Sequence, residues 1–189
     1  MKPLVAVLTG GSSTRMGVDK AQVTVGGQTM LDRVTGVAGT VGEVILVGGT
    51  LTADPRHVPD LRSGRLGPLA GLEAALAHGA GRDVLLIGVD QPFVRAATLG
   101  HLIEIDGDAV VPIDDGWEQV TCALYRQRCL PAVQAALDAA EDLAIITVLE
   151  HIETTAVERD QWSIWGEDGR SWYSVDTPDA LAIGIERYG

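Results

Sequence analysis

Cysteine is scarce in this chain: it occurs twice in 189 residues. Cys122 and Cys129 stand seven apart, which makes neither a disulfide framework nor a metal-ligand spacing. Cys122 reads as a core residue and Cys129 as a surface or helix residue. A reducing cytoplasm suits this usage. No apolar run approaches the roughly 18 residues that a membrane span needs. Met1-Lys2-Pro3 leads straight into the first apolar run, so no signal peptide is expected. The four histidines (His57, His78, His101 and His151) form no pair at ligand spacing and read as structural or surface residues. Positive charge is also short. The formal net charge is −12, which opposes binding to nucleic acid or to an anionic membrane.

Scarcity makes the location of the few cations informative. Lysine occurs only at Lys2 and Lys20, and Lys20 ends a glycine-rich loop. Arg62 and Arg65 form a second small cluster, readable as a solvated loop or as part of a binding site. Hydrophobic content of 46% is ample for a core, and the length suits one domain, residues 1–189.

Residues 4–20 carry the main signal. Leu4–Leu8 is an apolar run that suits a buried strand. Gly10 and Gly11 let the backbone turn sharply and approach a ligand. Free N–H groups in such a turn form a concave anion site, to which Arg15 and Lys20 add full charges. The unit suits a polyphosphate. It is not a P-loop, because Val18 follows Gly17 and no glycine precedes Gly17 by five. It is not a dinucleotide fingerprint either. The glycines alone would equally make a plain turn; Arg15, Gly17, Asp19 and Lys20 favour the binding loop.

Along the chain, strand-like and helix-like segments alternate. Strands are expected at Leu4–Leu8, Glu43–Val47, Asp83–Val89, Ala109–Pro112 and Val120–Tyr125. Helices are expected at Met30–Ala38, Leu69–His78, Ala97–Ile105, Leu130–Ala139, Ile146–His151 and Asp179–Tyr188. Thr177 and Pro178 form a cap and first turn for the last helix. This alternation predicts an α/β layered fold with a mostly parallel sheet. Thr50–Gly64 and Asp160–Gly169 are expected to be the longest irregular, mobile loops. Ligands of such sheets bind outside the carboxyl ends of the strands, which places Thr9–Lys20, Gly48–Gly49 and Asp90–Phe93 on one edge. Asp90, a carboxylate at a strand's end, is either a Mg²⁺ ligand or an Asx turn or cap opening the next helix.

The stretch Leu8-Thr9-Gly10-Gly11-Ser12-Ser13-Thr14-Arg15-Met16-Gly17-Val18-Asp19-Lys20 resembles the signature of the MobA-like nucleotidyltransferases, with Thr9 where alanine is usual. Leu66–Leu72 resembles their Gly-Pro-Leu-Ala-Gly segment. Val84–Phe93 resembles their strand ending in Asp-x-Pro-Phe. Ser174–Leu181 is similar to Asn-x-Asn-Thr-Pro-Glu-Asp-Leu, with Ser174 and Asp176 in place of both asparagines. The resemblance spans Leu4 to about Leu181 and implies a three-layer α/β/α Rossmann-like nucleotidyltransferase fold.

It also implies an enzyme that transfers GMP from GTP to the terminal phosphate of molybdopterin, releasing pyrophosphate, with Mg²⁺ as cofactor. Arg15, Lys20 and Asp90 would be catalytic. Leu8, Thr9, Gly10, Gly11, Lys20, Asp60, Gly67, Pro68 and Asp90 would bind the nucleotide, Asp60 reading guanine. Asp90 would hold the metal. Asp176 is either a second metal ligand or a residue that shapes the turn before Pro178. The cluster Trp162, Trp165, Trp172 and Tyr173 could stack on a flat pterin, although ordinary packing explains it as well. Gln119–Tyr125 lies where the family's strand approaches the acceptor. Asp19 before Lys20 favours GTP over CTP. Transient contact with proteins that deliver or receive the cofactor is also expected. The alternatives are a cytidylyltransferase, a guanylyltransferase for another phosphorylated acceptor such as phospholactate, and a catalytically silent nucleotide-binding module.

Overall fold

The computed structural model describes residues 2–10, 20–49, 51–64, 66–140 and 142–189. β1 (Leu4–Leu8) is buried apart from the partly covered Leu8. It lies between β4 (Glu43–Val47) and β6 (Val84–Gly88), parallel to both. A strand enclosed by neighbours at both sides and helices on both faces has no solvent-facing position, hence its unbroken apolar sequence. β5 (His57–Val58) extends the sheet beyond β4 in parallel. Beyond β6 come β9 (Cys122–Tyr125), β7 (Ala109–Asp114) and β10 (Thr154–Val157). β9 runs antiparallel to both of its neighbours, and β10 is parallel to β7. β8 (Trp117–Glu118) folds back on β7. The sheet is therefore mostly parallel, as expected, with β9 reversed within it.

Alternate residues of β1 face opposite layers. Leu4 and Ala6 pack against α2 (Gly67–Gly79), α4 (Leu130–Ala139) and α5 (Ile145–Leu149). Val5 and Val7 pack against α1 (Met30–Val41) and α3 (Ala96–Glu104). The three-layer α/β/α arrangement follows from these two cores. A third, smaller cluster joins Val25, Met30, Phe93, Val175 and Tyr188. It ties α7 (Pro178–Tyr188) to the body of the protein. Thr177 caps α7 as the sequence predicts, its hydroxyl accepting from the Ala180 N–H at 3.1 Å.

Several elements depart from the sequence reading. β2 (Thr24–Val25) and β3 (Gln28–Thr29) form an unforeseen hairpin. Its two-residue turn is Gly26-Gly27, both with positive φ, which glycine adopts without a Cβ clash. The segment Asp160–Gly169 is not an irregular loop. It contains most of α6 (Arg159–Trp162) and a 3-10 turn at Ser163–Trp165. The buried Glu167 carboxylate then accepts from the Asp168 and Gly169 N–H groups at 3.0 and 2.9 Å, and from the Thr98 and Ser171 hydroxyls. A buried carboxylate with this many donors pins its segment. Cys129 is buried rather than exposed, and its thiol donates to the Asp108 carbonyl. Burial pushes its pKa up to about 11. Both cysteines are free.

Candidate active site

Register builds the site. Leu8 pairs with Val47 on one side and Gly88 on the other, so three parallel strands end in line. The residues just past those ends are Thr9, Gly48 and the Val89–Asp90 turn. Thr9 N–H donates to the Val47 carbonyl at 2.9 Å, and Val89 N–H to the Leu8 carbonyl at 3.0 Å. The Thr9 hydroxyl donates to the Gly48 carbonyl at 2.8 Å. The hydroxyl that distinguishes Thr9 from the usual alanine thus braces the loop from within. Gly49 has φ +70°, and a Cβ there would stand 2.6 Å from the Thr9 carbonyl oxygen. Only glycine lets these two turns approach so closely.

Lys20 opens a 3-10 turn at Lys20–Gln22. Its Nζ donates to Asp90 Oδ2 at 3.1 Å and also bonds Asp176 Oδ1. The Ser174 hydroxyl lies 3.1 Å from Asp90 Oδ2 and 3.1 Å from Asp176 Oδ2. Burial would lower the Lys20 pKa, yet the bond to Asp176 and the charge of Asp90 outweigh it, and the net direction is upward. The ammonium is therefore charged at neutral pH. A cavity of about 140 Å³ opens over this group, lined among the described residues by Leu8, Thr9, Gly10, Lys20, Pro68 and Asp90, together with Gly88, Val89, Thr121 and Ser174.

The expected residues meet unevenly at this cavity. Gly11 and Arg15 lie outside the described residues, as do Asp19 and Arg65. Gly67 starts α2 with φ +69° beside Pro68, and among the described residues nothing lies within 4 Å of the place a Cβ would take. Asp60 is an exposed residue that does not line the cavity, but its Oδ1 lies 3.8 Å from where a Gly48 Cβ would stand. Partial desolvation raises its pKa against the opposing charge of His57. Arg62 is partly exposed and does not line the cavity. Its guanidinium grips the buried Glu73 through Nε, at 2.9 Å to Oε2, and pairs with Asp138 at 2.6 Å.

The aromatic cluster is engaged in packing. Trp162 meets Trp172 edge-on, Trp165 stacks on His101, and Tyr173 contacts Phe93 and Tyr188. Two polar residues escaped the sequence reading as individual site residues. Gln91 is buried, its Oε1 accepting from the Gly88 N–H at 2.8 Å and its Nε2 donating to the Thr121 hydroxyl at 3.2 Å. Its only signal is a polar residue next to Asp90, three residues past the end of a wholly apolar strand. Thr121 lies in the segment expected near the acceptor, and it lines the cavity.

Among the described residues, no group of three or more His, Cys, Asp or Glu converges as a metal centre. Asp90, Asp176 and Ser174 nonetheless present oxygen donors alone, and both carboxylates already converge on one cation, the Lys20 ammonium. That donor chemistry fits Mg²⁺, which takes one or two carboxylates together with phosphate oxygens.

A family model described as the MobA-like NTP transferase domain matches residues 5–155. The chain is 32% identical to a probable molybdenum cofactor guanylyltransferase of Pelotomaculum thermopropionicum, over 93% of this chain and 88% of that protein. It is 29% identical to a molybdenum cofactor guanylyltransferase of Rhizobium meliloti, over 95% and 88%. Its fold is similar to that of molybdopterin-guanine dinucleotide biosynthesis protein A from Archaeoglobus fulgidus, with a TM-score of 0.85 at 23% identity over 97% of each chain. It is also similar to 2-C-methyl-D-erythritol 4-phosphate cytidylyltransferase from Thermus thermophilus, with a TM-score of 0.69 at 18% identity over 100% and 99%.

Proposed function

The chain belongs to the MobA-like NTP transferase family, and from that premise we propose that it transfers GMP from GTP to the terminal phosphate of molybdopterin. The observation that carries this reading is the meeting of Lys20, Asp90 and Asp176 at the carboxyl ends of parallel strands. That is where open α/β sheets bind ligands. The relatives named as molybdenum cofactor guanylyltransferases support the choice of donor and acceptor.

An oxygen of the acceptor phosphate attacks the α-phosphorus of GTP, forming the new P–O bond. The bond between that phosphorus and the α,β-bridging oxygen breaks, and its electron pair leaves with pyrophosphate. The acceptor phosphate is already ionised near neutral pH, so no general base is required. Both reactants are anions, and the barrier is largely charge repulsion and positioning.

Asp90 and Asp176 would hold Mg²⁺, which would supply positive charge to neutralise the phosphates. Lys20 serves the α-phosphate as a point charge. Arg15 pairs with the β- and γ-phosphates through its planar fork. Backbone groups at Leu8–Gly11 cradle the nucleotide, Gly67 and Pro68 border the ribose, and Asp60 accepts from the guanine edge. A reducing, cytoplasmic setting agrees with two free, buried thiols.

The test incubates the purified protein with Mg²⁺ and either GTP or CTP, with and without molybdopterin, and measures pyrophosphate. Release only with GTP plus molybdopterin is expected. Release with CTP alone moves the assignment to cytidylyl transfer. No release under any condition identifies a nucleotide-binding module.

A further inference from the structure

We propose that Lys20 is an exchangeable counter-ion that occupies the carboxylate pair until a nucleotide arrives, so that nucleotide binding strengthens the binding of the divalent cation. The proposal rests on the reading of Asp90 and Asp176 as the cation site and goes beyond it.

The argument begins with two like charges. Asp90 and Asp176 both reach one ammonium, and both reach one hydroxyl, that of Ser174. Carboxylates this close repel unless a cation lies between them. In the nucleotide-free protein Lys20 is that cation, and its side chain is only 19% exposed. A divalent ion entering between the same oxygens meets a positive charge already bonded to them. Lys20 must then give up both carboxylates, and losing two ion pairs in a partly buried place is costly.

A triphosphate changes this balance. The cavity beside Lys20 is bordered by the glycine turn and Pro68, so a phosphate entering there offers Lys20 a new anion. The ammonium exchanges carboxylates for phosphate, and the carboxylates become available to the cation that accompanies the nucleotide. The departure from the family pattern strengthens the device. Asp176 stands where asparagine is usual, and a second carboxylate holds the ammonium more firmly than a neutral amide would.

The test uses Mn²⁺ as the probe, titrated by electron paramagnetic resonance into the full-length wild type, Lys20→Met and Lys20→Arg, with and without GTP. Without nucleotide, Lys20→Met is expected to bind Mn²⁺ about tenfold more tightly than wild type, the scale of two partly exposed ion pairs. Lys20→Arg keeps the charge and is expected to stay close to wild type. GTP should raise wild-type Mn²⁺ affinity much more than that of Lys20→Met. Thermal unfolding checks the folding of each variant: Lys20→Met should melt earlier than wild type in EDTA and recover with Mn²⁺. Equal Mn²⁺ affinity in wild type and Lys20→Met overturns the counter-ion role while leaving the metal site standing. Tight binding by Lys20→Arg overturns it too, since charge would then not be the cause. If neither wild type nor Lys20→Met binds Mn²⁺, with or without GTP, the cation-site reading itself fails.

Discussion

The backbone N–H of Val175 donates to the carbonyl of Asp90 at 2.8 Å. This bond joins the end of β6 to the segment that leads into α7. Val175 is fully buried beside Met30 and Phe93, so Ser174 and Asp176, on either side of it, are turned toward the Asp90 carboxyl. Two carboxylates from distant parts of the sequence thereby share one lysine.

Asp90→Asn keeps the size of the side chain and removes its charge. Pyrophosphate release is expected to fall on the order of a hundredfold or more, while the fold and thermal midpoint remain close to wild type. Rates near wild type would remove Asp90 from the reacting centre.

Asp176→Asn restores the residue usual in related sequences. The Mg²⁺ concentration for half-maximal activity is expected to rise about tenfold. An unchanged Mg²⁺ dependence would show that Asp176 only shapes the turn before Pro178.

Asp60→Asn separates recognition from folding. An ionised carboxylate can accept from the guanine edge, whereas an amide matches it poorly, so the KM for GTP should rise on the order of tenfold. Partial desolvation raises the folded-state pKa of Asp60 above its ordinary 3.8. The folded protein then binds more protons than the unfolded chain in that window, and stability falls as pH rises through it. The ionised carboxylate costs stability at neutral pH, and the asparagine variant should unfold no earlier than wild type. The sign also predicts that GTP affinity declines on acidification at a higher pH than for an unperturbed aspartate. A neutral-pH KM equal to wild type would exclude Asp60 from base recognition.

Gly71→Val probes the contact between α2 and β1. A Cβ at Gly71 would lie 2.5 Å from Leu8 Cδ2 and 3.4 Å from Val47 Cγ1. The bulk forces Leu8 toward the nucleotide cavity that it lines, or pushes α2 off the sheet. A stability loss of about 1–3 kcal/mol is expected in urea unfolding, with weaker GTP binding. Wild-type values for both would mean that the helix shifts without strain.

Much of this architecture was legible in the chain itself. The continuous apolar residues of Leu4–Leu8 predicted an enclosed strand, and Leu130–Ala139 became a helix with the expected bounds. Asp90 after an apolar strand and Lys20 after a glycine loop pointed to one edge. Arg62 did not disclose its role, because nothing local links it to Glu73 eleven residues on. Gln91 and Thr121 were equally silent, since a buried pair of polar groups has no periodic pattern. The hairpin at Thr24–Thr29 is too short to leave one.

Sequence by itself determined the layering: burial and backbone sterics act over a few residues, and their periodicity is written in the chain. Tertiary structure alone decided which charges meet. The reversal of β9, the grip of Arg62 on Glu73 and the sharing of Lys20 by Asp90 and Asp176 all depend on strand order and register. Those are set by the packing of the whole molecule, where contacts between distant segments compete and no local pattern records the outcome.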